Sequence, residues 1–223
     1  MSTTLRPHFL RTVVLFVVTF VAVFTLTIVG TSPVLAVPSK RLPDTTEEVI
    51  SDAAMQALTA LNNFANYGNL DDSDLFRYFT DRLAVEVASA LNLDMRKLQR
   101  SWALANLPRQ RAIIAGLTQL GVPYRLNTAT PFKSFDCSGL TSYAWGTAGI
   151  GISRGSSSQF NGAKRIKAEQ AQLGDLVWRP GHVAMYLGVP GAVLQAPYGG
   201  RSVEIQLMNE SIASWSRYAD PLA

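Results

Sequence analysis

The chain has 223 residues, enough for one or two ordinary domains with a real core. Its apolar share of 48% and charged share of 16% exclude disordered, collagen-like and highly charged classes. The formal charge of +4 drops to +2 if Arg6 and Arg11 leave with the first 36 residues, because 18 basic then face 16 acidic side chains. A nucleic-acid partner is excluded on that balance. Lys164-Arg165-Ile166-Lys167 is too short for a binding stripe, lacks interleaved aromatics and reads as a solvated loop face.

The N-terminus reads as an export signal. Arg6 and Arg11 flank a short polar start, Thr12 to Gly30 carry no charge, and Val34-Leu35-Ala36 supplies a small-residue cleavage pattern. The apolar run approaches the length of a spanning helix, so an uncleaved membrane anchor is the alternative, and the only membrane contact expected. Either way, the remaining chain lies outside the cytoplasm.

Residues 37–107 read as a lead-in followed by helices. Thr45 and Glu48 have capping-box spacing, and Ile50, Ala54, Ala57, Leu58, Leu61 and Phe64 continue at helical period up to Gly68. Asp71 to Asp74 open a second helix with the apolar stripe Leu75, Phe79, Leu83, Val87 and Leu91. A third starts near Asp94 and carries Met95, Leu98 and Trp102. A fourth starts around Pro108 and carries Ile113, Ile114, Leu117 and Leu120. Residues 45–107 show no metal-ligand spacing and no catalytic cluster. The segment is therefore expected to pack rather than react, and Trp102 to be core.

After Gly121 the texture changes. Phe135 and Asp136 lead into Cys137-Ser138-Gly139-Leu140, which suits a helix start. From Gly174 short apolar runs alternate with turns: Asp175–Trp178, His182–Leu187, Ala192–Ala196 and Ser202–Gln206 read as strands of an antiparallel meander. Helices packed on such a sheet make an α+β domain over residues 108–223.

The chemistry centres on one thiol and one imidazole. The single cysteine excludes a disulfide framework and a Cys-rich zinc site, and neither a metal nor another cofactor is expected. A helix beginning at Cys137 would present its positive end to a thiolate, and Asp136 as N-cap would have its carboxylate occupied by backbone donors. His182, the only histidine besides His8, follows a Pro-Gly turn at a strand start, where it can serve as base.

Several ordered segments then carry a resemblance. Gly121-Val122-Pro123-Tyr124, Phe135-Asp136-Cys137-Ser138-Gly139-Leu140, Gly174-Asp175-Leu176-Val177 and Gly181-His182-Val183-Ala184-Met185-Tyr186-Leu187-Gly188 occur in the order seen in the NlpC-type bacterial cell-wall cysteine peptidases. Ser153-Arg154-Gly155-Ser156 with Gln159, and Gln195-Ala196-Pro197-Tyr198-Gly199-Gly200, also look like family segments; the helical segment with an export signal is similar to actinobacterial members. The resemblance implies a papain-like fold and hydrolysis of peptidoglycan stem peptides, commonly between D-glutamate and a diamino acid. It implies Cys137 as nucleophile, His182 as base and then acid, and Gln195 at the third position. Tyr124 would lie at the site wall, Asp136 and Ser138 beside the substrate, and Arg154 against a substrate carboxylate.

Two departures stand out. The family usually has Trp-Gly-Gly after the tyrosine, where this chain has Arg125-Leu126-Asn127. The third catalytic position, usually His, is the neutral Gln195, which can still hold an imidazole tautomer. Two other readings use the same residues: a non-catalytic wall-binding or scaffold protein of this fold, and a thiol acyltransferase whose acyl-enzyme ends on an amine. The strand period makes Gln195 testable. A four-residue loop at 188–191 would pair Leu187 with Ala192 and put Gln195 diagonal to His182, roughly 7–8 Å away between backbones, whereas a three-residue loop without a bulge would put Gln195 on the opposite face and leave only the Cys137–His182 dyad.

Overall fold

The computed structural model describes residues 44–68 and 70–223; the signal or anchor reading of residues 1–36 lies outside them. Four helices come first: α1 (Asp44–Tyr67), α2 (Leu70–Leu91), α3 (Met95–Leu104) and α4 (Leu107–Leu117). Thr45, expected as a cap, lies inside α1. That helix ends where Gly68 turns to φ +64° and returns its N–H to the Phe64 carbonyl at 2.8 Å. Asp94 and Asn106 cap α3 and α4 by accepting the backbone N–H groups of Lys97 and Arg109. The α2 stripe is rotated slightly from expectation. Leu83, Val87 and Leu91 are buried, but Leu75 is 44% exposed and Phe76 takes its place, stacked on Phe64 with centroids 6.3 Å apart.

The rest is sheet with helices against it. A two-stranded ribbon, β1 (Ala129–Thr130) and β2 (Ser134–Phe135), precedes α5 (Cys137–Thr147) and α6 (Ser156–Gly162). The main strands are β3 (Lys164–Ile166), β4 (Leu176–Arg179), β5 (His182–Tyr186), β6 (Ala192–Gln195), β7 (Glu204–Leu207) and β8 (Arg217–Asp220), with α7 (Glu210–Trp215) before the last. They form one antiparallel sheet in the order β3-β8-β4-β5-β6-β7. The expected meander is β4 to β7. Reading along the chain missed β3 and β8, which pair across more than 50 residues. Lys164–Ile166 is therefore an edge strand and not the solvated loop expected of it; two exposed basic side chains suit an edge that must not recruit another chain.

Strand alternation sorts the sheet into two faces. Leu176, Val183, Met185, Leu194 and Ala219 join the main core with Ile113 and Ile114 of α4 and Leu140, Ala144 and Trp145 of α5. Val177, Ala184, Tyr186, Val193 and Tyr218 form a smaller cluster on the other side. The main core is continuous with Ile50, Leu61, Leu83, Val87, Leu98 and Trp102, so the N-terminal helices share it.

Two buried polar contacts tie helices to sheet. The Trp102 indole donates to the Leu187 carbonyl just beyond β5 at 2.8 Å. Arg109 of α4 is 2% exposed and bridges Asp175 Oδ1 at 2.5 Å and Asp220 Oδ1 at 2.7 Å, while Nη1 also donates to the Leu173 carbonyl. Burial pushes the Asp175 pKa up and outweighs the hydrogen bonds from Gln172 and Arg109 that pull it down.

Trp102 gives a direct test of this coupling. Trp102→Ala should cost about 3–5 kcal/mol through the lost packing. Trp102→Phe should cost less, about 1–3 kcal/mol, chiefly from the unpaired Leu187 carbonyl. Urea denaturation of the three proteins measures both differences.

Candidate active site

The site begins with a carboxylate. Asp136 sits in extended conformation (φ −95°, ψ 177°) as N-cap of α5; its Oδ1 accepts the Gly139 N–H at 2.7 Å and its carbonyl accepts the Leu140 N–H at 3.0 Å. Gly139 has to be glycine: a Cβ there would lie 2.1 Å from the Thr128 carbonyl oxygen. This tight start makes Cys137 the first helical residue, where the unpaired N–H groups of the opening turn and the helix dipole put positive potential at Sγ. The thiol is free and 9% exposed.

The same carboxylate takes a fork of two hydrogen bonds from Arg154, Nη1 to Oδ1 at 2.9 Å and Nη2 to Oδ2 at 2.8 Å. Nη1 also reaches Ser138 Oγ at 2.9 Å, and Nη2 the Thr128 carbonyl at 3.1 Å. Burial acts to raise the Asp136 pKa, but the Arg154 bond and charge, with the Gly139 N–H, hold it below its usual value. Arg154 was expected to meet a substrate carboxylate; both its terminal nitrogens instead hold groups of the protein itself. Ser138, expected beside substrate, is 6% exposed, and its hydroxyl is engaged with Asp136 and Arg154.

His182 opens β5 directly across the Pro180-Gly181 turn from Arg179, the last residue of β4. Its Nε2 lies 2.9 Å from Gln195 Oε1, and both side chains are buried. An amide oxygen only accepts, so with the Gln195 oxygen turned to it Nε2 is the nitrogen that carries the proton, and Nδ1 keeps its lone pair. The register behind this contact is the expected one: Met185 pairs with Leu194 and Tyr186 with Val193, which leaves Gln195 diagonal to His182. Burial first, then the Arg179 charge, push the imidazole pKa down to about 4, against a smaller upward pull from Gln195. Behind Gln195, its Nε2 donates to Glu204 Oε1 at 3.1 Å and to Gln206 Oε1 at 2.6 Å, and Glu204 pairs with Arg201.

One cleft brings the thiol beside the turn that leads into His182. The α5 helix packs on β5, and a cleft of about 430 Å³ is lined by Tyr124, Leu126, Asn127, Asp136, Cys137, Ser138, Arg154 and Gly181, the neighbour of His182. Arg179 lies within electrostatic reach of both Cys137 and His182. Burial and the nearby Cys137 and Asp136 charges push the Tyr124 hydroxyl pKa up, so it stays a donor. The departure Arg125-Leu126-Asn127 contributes two residues to the cleft wall, with Asn127 at φ +59°.

Residues 121–219 match the NlpC/P60 family. This part of the chain is an NlpC/P60 domain. The chain is similar to the peptidoglycan endopeptidase RipA of Mycolicibacterium smegmatis, 37% identical over 112 residues, which cover 43% of this chain and 22% of that protein. It is also similar to a gamma-D-glutamyl-L-lysine dipeptidyl-peptidase of Bacillus cereus, 36% identical over 105 residues, covering 44% and 31%. The match thus spans less than a third of either relative's length. A crystal structure of an NlpC/P60 family protein from Bacillus cereus aligns with TM-score 0.46 and 32% identity over 50% of this chain and 39% of that one.

Reading the sequence missed Arg179, Glu204 and the role of Gln159. Gln159 is 2% exposed and holds the start of α5 by donating to the Ser138 and Ser153 carbonyls and accepting from Thr141 Oγ1. A signal for Glu204 was present, as the lone carboxylate of the expected strand Ser202–Gln206, set between Val203 and Ile205.

The neutral imidazole has a consequence for stability. The unfolded chain protonates His182 near pH 6.5 and the folded chain only near 4. Between those values the unfolded state binds more protons, so stability falls as pH drops from about 6.5 to about 4 and then levels. The loss attributable to His182 should be on the order of 3 kcal/mol. Denaturant unfolding across this range should show that component in the unaltered protein and not in His182→Asn.

Proposed function

We propose that this chain is an exported cysteine endopeptidase that hydrolyses peptidoglycan stem peptides. The observation that carries the reading is one cleft lined by Cys137, at the capped start of α5, and by Gly181, next to a buried His182 that contacts the Gln195 amide. The RipA relative is a peptidoglycan endopeptidase by name, which supports the substrate class; the Bacillus cereus relative is named for a gamma-D-glutamyl-L-lysine bond, which supports the D-glutamyl–diamino acid bond as the target here.

The steps follow from the geometry. His182 Nδ1 takes the thiol proton, and Cys137 Sγ adds to the scissile carbonyl carbon. The oxyanion that forms is met by the opening N–H groups of α5 and the Tyr124 hydroxyl. The C–N bond then breaks, and the leaving amine takes the proton from His182, giving a thioester on Cys137. Water, losing its proton to Nδ1, adds to the thioester; the acid leaves and the thiol is restored. Arg154 and Asp136 act by holding the start of the helix, and export delivers the enzyme to the wall.

Mass spectrometry of muropeptides incubated with the protein tests the reading. Products should end in a free D-glutamyl carboxylate and a free diamino-acid amine. Cys137→Ala should reduce product to background while leaving the fold intact, since the described residues hold no second thiol. Wild-type turnover in Cys137→Ala would sink the mechanism. Products joined to an added amine, in place of hydrolysed ones, would make the protein an acyltransferase; intact substrate retained on the protein would make it a binding protein.

A further inference from the structure

Catalysis by His182 requires its proton on one particular nitrogen, and the groups behind it decide which. Three of them can be read either way. The imidazole can carry its proton on Nδ1 or Nε2, and the amides of Gln195 and Gln206 can each turn to present oxygen or NH₂. Glu204 cannot be reversed. It lies directly opposite Gln195 across the β6–β7 pair, is 4% exposed, and is held as a carboxylate by the Arg201 guanidinium. A carboxylate only accepts.

That single asymmetry propagates. Gln195 must point its NH₂ at Glu204 Oε1, 3.1 Å away, which leaves its oxygen facing His182 Nε2 at 2.9 Å. The imidazole must then donate from Nε2, and Nδ1 is left as the base. The reversed amide would press its oxygen against the Glu204 carboxylate oxygen in a buried site, two acceptors facing each other. We propose that Glu204 is a positioning residue: it sets the direction of the hydrogen-bond chain and, through Gln195, holds His182 in its Nε2–H form. It thereby does from one strand further out what a charged third residue does by direct contact. The effect on rate rests on the peptidase reading; the tautomer does not.

Nitrogen NMR of the full chain labelled with ¹⁵N in the histidine rings reads the tautomer directly. Only His8 and His182 contribute, and His182→Asn identifies the second. At neutral pH the unaltered protein should show a single Nε2–H form. Glu204→Gln leaves Gln195 free to turn, so a second tautomer should appear and kcat on stem peptides should fall at least about tenfold with KM little changed. Moving the carboxylate inward, in Gln195→Glu with Glu204→Gln, should restore the single tautomer and most of kcat. If Glu204→Gln alone does not fold, Arg201→Met with Glu204→Gln, which removes the stranded cation, takes its place with the same outcomes. An unchanged tautomer, or unchanged kcat in an active enzyme, would overturn the proposal. The expected tautomer change in a protein without hydrolytic activity would support it and sink the peptidase reading.

Discussion

The site depends on how one buried carboxylate is shared. Asp136 accepts the Gly139 N–H, which starts α5, and takes the Arg154 fork, which joins the 153–156 loop to that start. Each contact alone is ordinary. Together they leave the helix one place to begin, and so place Cys137 with a precision set by hydrogen bonds of 2.7–2.9 Å. The cost of burying the carboxylate is offset by Arg154, because a fully hydrogen-bonded ion pair is tolerated where a bare charge is not. The close approach of the Thr128 carbonyl, which excludes any side chain at 139, closes the arrangement.

The sheet contributes the other half by register. One row of side chains runs from Arg179 through His182 and Gln195 to Glu204, each strand adding a member at the same end. Charged residues flank the two neutral ones in this row, with Arg179 at one end and Glu204, paired with Arg201, beside the amide at the other. A neutral residue at the third position is therefore not isolated from charge. The imidazole is held neutral by burial and by Arg179, which suits a group that must begin as base.

The N-terminal helices belong to the same core. Trp102 donates to Leu187 just beyond β5, the strand that His182 opens, and α1 packs on α4, whose Arg109 anchors Asp175 before β4 and Asp220 at the end of β8. Loosening the helices would expose Ile113, Ile114 and Leu117, and would disturb the strands carrying the imidazole.

Local rules made much of this legible in the sequence. Helix period and caps marked α1 to α4, since Asp94 and Gly68 act on their immediate neighbours. The Pro-Gly turn set β4 against β5, and side-chain alternation made an even-length loop before β6 the condition for His182 and Gln195 to share a face, a condition that the observed register meets. What lay beyond reach depended on distant pairing. The choice of Phe76 over Leu75 waited on Phe64 across the helix pair, and β3 became a strand only because β8 returned to it. Arg154 was recognisable as a carboxylate partner, since a guanidinium forks onto any carboxylate. That its partner is Asp136, 18 residues earlier, was decided by tertiary structure. So was the place of Glu204 behind Gln195, because a sequence specifies what each side chain can donate or accept, while only the folded chain brings donors and acceptors within 3 Å of one another.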